Sequence, residues 1–513
     1  MKLVLFMLEY LLCACAYVYF GAQRYTNYLY IINGGQIMST TSQARQRIDS
    51  LLDDNSFVEI GAKVTARSTD FNLKLSETPS DGVITGYGVI NGQLVYVYSQ
   101  DASVLNGTVG EMHAKKIVKL YDMALKMGAP IIGLIESAGM RLQEATDALN
   151  AFGEIYLKQA EASGIIPQIT AIFGNCGGAL AISSALADFT FMEEKNAKLF
   201  VNAPNCIDGN YASKCDTSAA AYQASETDNV DVVADAATII SKVRDLITVL
   251  PENNDGEAYF DECTDDLNRA CGSLKASIAD PAVALTQISD NALVFETKAD
   301  YAKEVVTAFI KLNGATVGVV ANRTVLYDEN GEKKETFEPV MSAAACVKAA
   351  DFVNYCDAFE IPVLTITNVK GFKACECNEK KAAKAAAKLT YAFANASVPK
   401  VNVIVGEAFG TAYVMMNSKA IGADITIAWP DAKIGSMDAK NAAQIICDGQ
   451  GADAIDACAK EYAALQNNVE SAARRGYVDE IVEPEDTRKY VIGAFEMLFS
   501  KSDMALCKKH GTV

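Results

Sequence analysis

Two long stretches of the chain carry the same order of apolar and small residues. Residues 166–199 read "IPQITAIFGNCGGALAISSALADFTFMEEKNAKL" and residues 398–434 read "VPKVNVIVGEAFGTAYVMMNSKAIGADITIAWPDAKI". In each, proline opens a β-rich apolar run, glycine follows, a turn of small residues opens an apolar helix, and Ala-Asp leads into a second β-rich run. Short apolar runs bounded by turn residues are the pattern of strands buried on both faces. The segments before them match as well. "APIIGLIES" (129–137) and "IPVLTITNV" (361–369) each read as a strand, followed by a Gly-containing turn and a long helix. Strands alternating with helices imply parallel pairing and right-handed crossovers. Self-similarity on this scale implies an internal duplication of one α/β fold.

Local signals extend the pattern. "DGVITGYGVINGQLVYVYSQDASV" (81–104) predicts a hairpin turning at Asn91-Gly92. "GATVGVVANRTVLYDENGE" (314–332) is its expected counterpart at the start of the second half. "AKKIVKLYDMALKM" (114–127) predicts a helix stopped by Gly128. "PENNDGEAYFDECTDDLNRACGSLKASIADP" (251–281) is polar, acidic and poor in strand signal. The expected organisation is a domain over 38–255, a linker over 256–281 and a domain over 282–513, both domains of ordinary size.

Residues 3–22, "LVLFMLEYLLCACAYVYFGA", form an apolar run about as long as one membrane span. Glu9 interrupts it, and Lys2 is almost the whole of its basic flank. Gly34-Gly35 permit a purine-rich ribosome-binding stretch shortly before Met38, after which "STTSQARQRIDSLLDD" starts as a polar cap leading into an amphipathic helix. The preferred expectation is that 1–37 reflect a mis-called start; a membrane anchor and a signal peptide are the alternatives.

Composition narrows the function. Half of the 513 residues are apolar and 21% are charged, which suits large cores rather than disorder. A net charge of −19 argues against broad nucleic-acid binding, and an anionic substrate would need a local basic pocket. Fourteen cysteines without a CxxC pair read as reduced thiols in the cytoplasm and exclude a zinc ribbon; no metal is expected. With only His113 and His510, a Ser-His-Asp triad or a His-rich metal site is disfavoured.

The duplicated turns carry the candidate chemistry. In "GNCGGALAIS" the turn spans Gly174–Ala179, and in "GEAFGTAYVMM" it spans Gly406–Ala412. A helix start exposes N–H groups without intrahelical partners, small residues admit a ligand to them, and the helix dipole favours an oxyanion such as a thioester enolate. Close packing of helix on strand would select the same residues.

At these residues the chain resembles the biotin-dependent acyl-CoA carboxyltransferase family of the crotonase superfamily. "ARQRIDSLLDDNSFVEI" (44–60) resembles the family's opening helix. "DGVITGYG" (81–88), "GEMHAKKI" (110–117), "ESAGMRLQEA" (136–145), "SGIIPQI" (163–169), "CGGALAISSALADF" (176–189), "DPAVAL" (280–285) and "GADITIAWPDAKI" (422–434) follow in the family's order. The resemblance implies an α/β fold of two tandem crotonase-like (ClpP/crotonase) domains. It implies that carboxybiotin arrives on a separate carrier protein and that one hole holds the acyl-CoA enolate while the other holds the ureido oxygen. The biotin nitrogen itself then takes the α-proton. Carried over, the acyl-CoA hole falls on Gly178 and Ala179 beside Gly177, and the biotin hole on Thr411 and Ala412 beside Gly410. Tyr413 and Val414 follow, with Val414 helping to size a pocket for a small acyl chain, and Arg141 is the candidate for CoA phosphate or a structural ion pair. Implied partners are a biotin carboxyl carrier protein, a biotin carboxylase or a membrane decarboxylase subunit, and further copies of this chain in a dimer-based assembly such as a hexamer. Through such partners a cytoplasmic protein could be membrane-associated. The expected enzyme is the β subunit of an acyl-CoA carboxylase or the α subunit of a sodium-pumping acyl-CoA decarboxylase.

The chain departs from the family pattern near the turns. The family has Gly where this chain has Ala179 and Thr411, and a β-branched Thr disfavours positive φ. "GFKACECNE" (371–379) stands for Gly-Phe-x-Pro-Gly, "ESAGMR" for Asp-Ser-Gly-Gly-Ala-Arg, and "VNAP" (201–204) for Thr-Gly-Pro. A CoA-binding scaffold that has lost its chemistry is therefore one alternative. Another is a hydratase-like crotonase using Glu136 and Glu144. Lys126 in "ALKM" mimics a biotinylation motif but falls in a helical pattern. Lys381, Lys384 and Lys388 share a helix face that reads as solvated. "CEC" (375–377) lacks a partner pair for metal and reads as ordinary thiols.

Overall fold

The structure, a computed structural model, describes residues 42–67, 78–210, 214–255, 262–328 and 330–502. Segment 1–37 and His510 fall outside them. The chain enters at helix Gln43–Leu51, where the Ser42 side chain accepts the Arg45 N–H as N-cap.

Two eight-stranded sheets follow. The first contains β1 (Val58–Ile60), β2 (Val83–Ile90), β3 (Gln93–Gln100), β4 (Ile131–Ser137), β5 (Gln168–Gly177), β6 (Phe189–Glu193), β7 (Lys198–Phe200) and β8 (Val232–Ala234). Their order is β1-β2-β3-β4-β5-β6-β8, with β7 on the end of β5. The second contains β9 (Val294–Thr297), β10 (Val305–Leu312) and β11 (Ala315–Asn322). After the short strands β12 (Val325–Tyr327), β13 (Lys333–Thr336) and β14 (Val340–Met341) it resumes at β15 (Val363–Val369). Then come β16 (Gly371–Phe372), which pairs with β14, and β17 (Lys400–Phe409), β18 (Ile425–Ala428), β19 (Lys433–Gly435) and β20 (Glu480–Ile481). The second order, β20-β18-β17-β15-β11-β10-β9 with β19 on β17, repeats the first strand for strand. In both sheets an antiparallel three-stranded edge gives way to parallel strands. Duplication and fold class therefore stand as the sequence implies.

One boundary differs. The second hairpin does not begin at Gly314. It begins at Val305, and Asn313-Gly314 is its turn, with φ of 50° and 77° against 51° and 85° at Asn91-Gly92. The missed strand, β10, is buried along its whole length, so it lacks the apolar–polar alternation that marks an edge hairpin. Cys271 and Leu274, inside the stretch read as a linker, are buried in the core under the second sheet.

The halves meet through an aromatic seam. Phe189 of β6 lies 4.9 Å from Tyr355 and 6.0 Å from Phe309, centroid to centroid, and Phe191 lies 6.4 Å from Phe295. Helix Ala236–Val249 buries Ile239, Val243, Leu246 and Ile247 in that shared core. Among the described residues no helix is long and apolar enough to cross a membrane.

Candidate functional site

β5 runs into the first turn. Its end is held by β7, which pairs Asn175 with Lys198, Cys176 with Leu199 and Gly177 with Phe200. Gly178 then adopts φ 62°, ψ −119°, a conformation that favours glycine, and helix Ala179–Ala185 begins. The Gly178 N–H donates to the Phe200 carbonyl at 2.8 Å. The N–H of Ala179, first in the helix, belongs to the donors that have no intrahelical acceptor.

The glycines here are not alike. A Cβ on Gly177 would meet the Phe200 ring at 2.6 Å, and one on Gly174 would meet Glu136 Cγ at 2.7 Å, so both serve close packing. A Cβ on Gly178 would meet nothing within 4 Å. Gly139, at φ 100°, brings the loop after β4 to the same place, since a Cβ there would approach the Gly177 carbonyl at 3.7 Å.

The second turn repeats the first. Gly410 has φ 62°, matching Gly178, and a Cβ on Gly406 would meet Asn368 as one on Gly174 meets Glu136. β19 holds the end of β17 as β7 holds β5. This equivalence sets Gly410 and Thr411 opposite Gly178 and Ala179, one position earlier than the pair Thr411–Ala412. Thr411 is exposed and keeps negative φ, so its β-branch is no obstacle, while Ala412 is buried in the core at 1% exposure. Tyr413 and Val414 are half-buried behind it, and burial pushes the Tyr413 hydroxyl up to about 12.

A cavity of about 1240 Å³ opens at the ends of β4 and β5, lined by Gln43, Arg47, Glu136, Asn175 and Arg244 among others. Arg47 pairs with Glu136 at 2.6 Å and stacks over Phe173 at 4.6 Å. Arg244 pairs with Asp53 at 2.8 Å and donates to the Leu51 carbonyl at 2.6 Å. The hydrogen bond that Arg244 donates to the Asp53 carboxylate holds that carboxyl below its usual range. Neither arginine stood out in the sequence. The available signal was a cation on the polar face of the opening helix, in a chain of strong negative charge.

Arg141 does not reach the cavity. It is fully buried, with Nη1 on Asp81 at 2.6 Å and on Glu144 at 2.9 Å, and Nη2 on the Thr108 carbonyl at 2.7 Å. The phosphate role is corrected to the structural ion pair, because the guanidinium is wholly buried against two carboxylates and out of a ligand's reach. Glu144 is consumed as well, accepting the Glu111 N–H at 2.6 Å, which takes it away from acid–base work. His113 is buried between Gln100 and the Asp81 carbonyl, and burial, reinforced by Arg141, pulls its pKa down to about 3. Lys126 sits in the last turn of helix Glu111–Met127, and Lys381 and Lys384 are exposed on helix Glu376–Asn395. Among the described residues no group of three or more His, Cys, Asp or Glu is placed to hold a metal ion.

The family described as "Carboxyl transferase domain" matches residues 39–513. The methylmalonyl-CoA decarboxylase subunit alpha of Propionigenium modestum is 38% identical over 496 residues, covering 92% of each chain. The propionyl-CoA carboxylase beta chain of Roseobacter denitrificans is 39% identical over 485 residues, covering 92% of this chain and 93% of that one. Among solved structures, a transcarboxylase 12S hexamer with methylmalonyl-coenzyme A and methylmalonic acid bound superposes with a TM-score of 0.84 at 32% identity, covering 96% of this chain and 97% of that one.

Proposed function

The chain belongs to the carboxyl transferase family, and from that premise we propose that its two equivalent turns divide the reaction between an acyl-CoA and biotin. It is a biotin-dependent acyl-CoA carboxyltransferase of the propionyl-CoA carboxylase β and methylmalonyl-CoA decarboxylase α type. In our reading residues 38–255 serve the acyl-CoA and residues 282–513 serve biotin.

The observation that carries this reading is the open face at Gly178. Packing explains Gly174 and Gly177, but a side chain on Gly178 would touch nothing, so glycine there answers to backbone conformation and to access. The Ala179 N–H donates to the thioester oxygen, and the start of the helix favours the charge that develops there as the α-proton leaves. Arg47 and Arg244 draw the anionic CoA ester into the cavity, against the negative field of the whole chain. In the second half the Thr411 N–H, behind Gly410, presents the matching donor to the ureido oxygen. Thr411 is exposed, and a Cβ on Gly410 would meet the Ser436 carbonyl at 3.2 Å, so glycine there leaves the backbone within reach of a ligand. Biotin, delivered on a separate carrier protein, is the group that exchanges the carboxyl with the acyl-CoA.

The proposed substrate is a small acyl-CoA of the propionyl/methylmalonyl class, with the half-buried Val414 helping to limit the chain. The proposed partners are a biotin carboxyl carrier protein and either a biotin carboxylase or a membrane decarboxylase subunit, around a homo-oligomeric core. Both departures at the turns, Ala179 and Thr411, keep a backbone N–H, so neither favours the scaffold reading. The test is carboxyl transfer with free biotin across a panel of acyl-CoA esters. Turnover highest with propionyl- or methylmalonyl-CoA supports the reading; tight binding of CoA esters with no transfer to or from any of them overturns it.

A further inference from the structure

The stretch Gly371–Glu379, where this chain has Cys-Glu-Cys, sets two thiols side by side. Cys375 Sγ and Cys377 Sγ lie 3.0 Å apart. Cys375 is the N-cap of helix Glu376–Asn395, and its carbonyl accepts the N–H groups of Asn378 at 3.1 Å and Glu379 at 2.9 Å. Cys377 is exposed and Cys375 partly so, which leaves both within reach of a small reagent. Among the described residues no third metal-ligating side chain stands with them.

Their surroundings favour thiolate. The positive end of a helix stabilises a thiolate at its N-cap. The hydrogen bond from Cys377 holds the Cys375 thiol below its ordinary value, and Lys373 adds in the same direction. A second close pair provides a contrast. Cys447 holds the Cys458 thiol above its ordinary value.

The loop is also tied to the second-half turn. Asn378 is buried, accepts the Ala343 N–H at 2.6 Å and donates to the Lys373 carbonyl at 2.8 Å, bracing the thiol loop against the neighbouring helix. Just before the thiols, β16 pairs with β14 and packs on helix Gly410–Met415.

We propose that Cys375 and Cys377 form a redox-modification site that a small disulfide, such as oxidised glutathione, converts into an intramolecular disulfide, lowering carboxyl transfer at the Gly410–Thr411 turn. The Cys375 thiolate attacks one sulfur of the reagent, breaking its S–S bond and releasing one thiol. The Cys377 thiolate then attacks Cys375 Sγ and expels the second thiol. Both cysteines give up their protons, and the reagent leaves as two reduced thiols. The effect on activity rests on the role proposed above for that turn; the modification itself does not.

The experiment treats the full-length protein with oxidised glutathione, alkylates it, and reads the 375–377 peptide by mass together with carboxyl transfer to free biotin. The expected result is loss of two hydrogens from that peptide, reversal by dithiothreitol, and a several-fold fall in activity that reverses with it. The double variant Cys375→Ser/Cys377→Ser should keep basal activity and resist the reagent. Two alkylated thiols in that peptide while Cys447 and Cys458 oxidise would overturn the site, and a double variant as sensitive as the parent would overturn the coupling. If the protein transfers no carboxyl group at all, the mass measurement still decides the modification, so that failure of the functional reading stays separate.

Discussion

Gly178 gives its backbone N–H to the Phe200 carbonyl at 2.8 Å, so β7 holds the first turn from behind and leaves the next donor, on Ala179, to open the helix. The turn is thus fixed by an adjacent strand before any ligand arrives. Preorganised donors of this kind stabilise developing charge without reorganising at the moment of reaction.

Substitution at the two glycines should separate the halves. Gly178→Val has room for its Cβ, but it forces a β-branched side chain onto φ 62°, ψ −119°, a strain of about 1–3 kcal/mol that displaces the Ala179 N–H. Loss of one such donor lowers rate by about a hundred- to a thousandfold. The expected outcome is that fall in kcat/KM with weakened CoA-ester binding by calorimetry and an unchanged circular dichroism spectrum. Gly410→Val should abolish transfer to a similar degree while leaving CoA-ester affinity nearly intact. Equal loss of affinity in both variants would reverse or merge the assigned roles.

Arg47→Ala should act on binding. A hydrogen bond or ion contact to a charged group contributes about 1.5–3 kcal/mol, so KM for the acyl-CoA should rise at least tenfold with kcat little changed. Arg47→Lys keeps the charge but loses the planar stack over Phe173, and is expected to recover only part of the affinity. Steady-state kinetics at two ionic strengths check it; a KM unmoved by either change would remove Arg47 from the CoA path.

What the sequence disclosed, and what it hid, follows from the range of each interaction. Asn91-Gly92, Gly128 and the paired turns are local features, where a few residues dictate backbone conformation, and each is found where the sequence places it. The cavity was hidden because it is assembled from distant residues. Arg47 meets Glu136 across two elements, and Arg244 reaches back to Asp53. Arg141 was ambiguous because a motif arginine reads the same whether it faces a ligand or a buried carboxylate, and only its burial decides. The pair Thr411–Ala412 is carried over from the family resemblance, whereas the matching φ of Gly178 and Gly410 and the matching packing of Gly174 and Gly406 set Gly410–Thr411 opposite Gly178–Ala179.

Arg141 offers a stability test free of catalysis. Removing one partner of a buried ion pair leaves the remaining charge uncompensated, typically at about 3–5 kcal/mol. Arg141→Met strands Asp81 and Glu144, both buried, and should lower the denaturant midpoint sharply. Any folded fraction should bind CoA esters as the parent does. Weakened binding in well-folded protein would return Arg141 to the phosphate site.

Asp188 gives a pH dependence of definite sign. Burial pushes its carboxyl up from 3.8 to about 7, against the hydrogen bond from the Gln168 N–H, and nearby Asp231, itself raised to about 6, adds to the shift. Between about pH 4 and about pH 7 the native carboxyl holds a proton that the unfolded chain has lost, so the native state binds more protons and stability falls as pH rises. The contribution is fully present below the unfolded value and is gone once pH passes the folded one. His113, pulled down to about 3, works in the opposite direction across much of the same window, so the parent protein alone cannot isolate the effect. Asp188→Asn can, because His113 is common to both proteins and the amide oxygen can still accept the Gln168 N–H. The variant's stability relative to the parent should climb from pH 5 to pH 8 by an amount on the order of 1–4 kcal/mol. Urea unfolding at the two pH values measures it, and a difference that stays flat or declines would mean that Asp188 titrates as an ordinary exposed carboxylate.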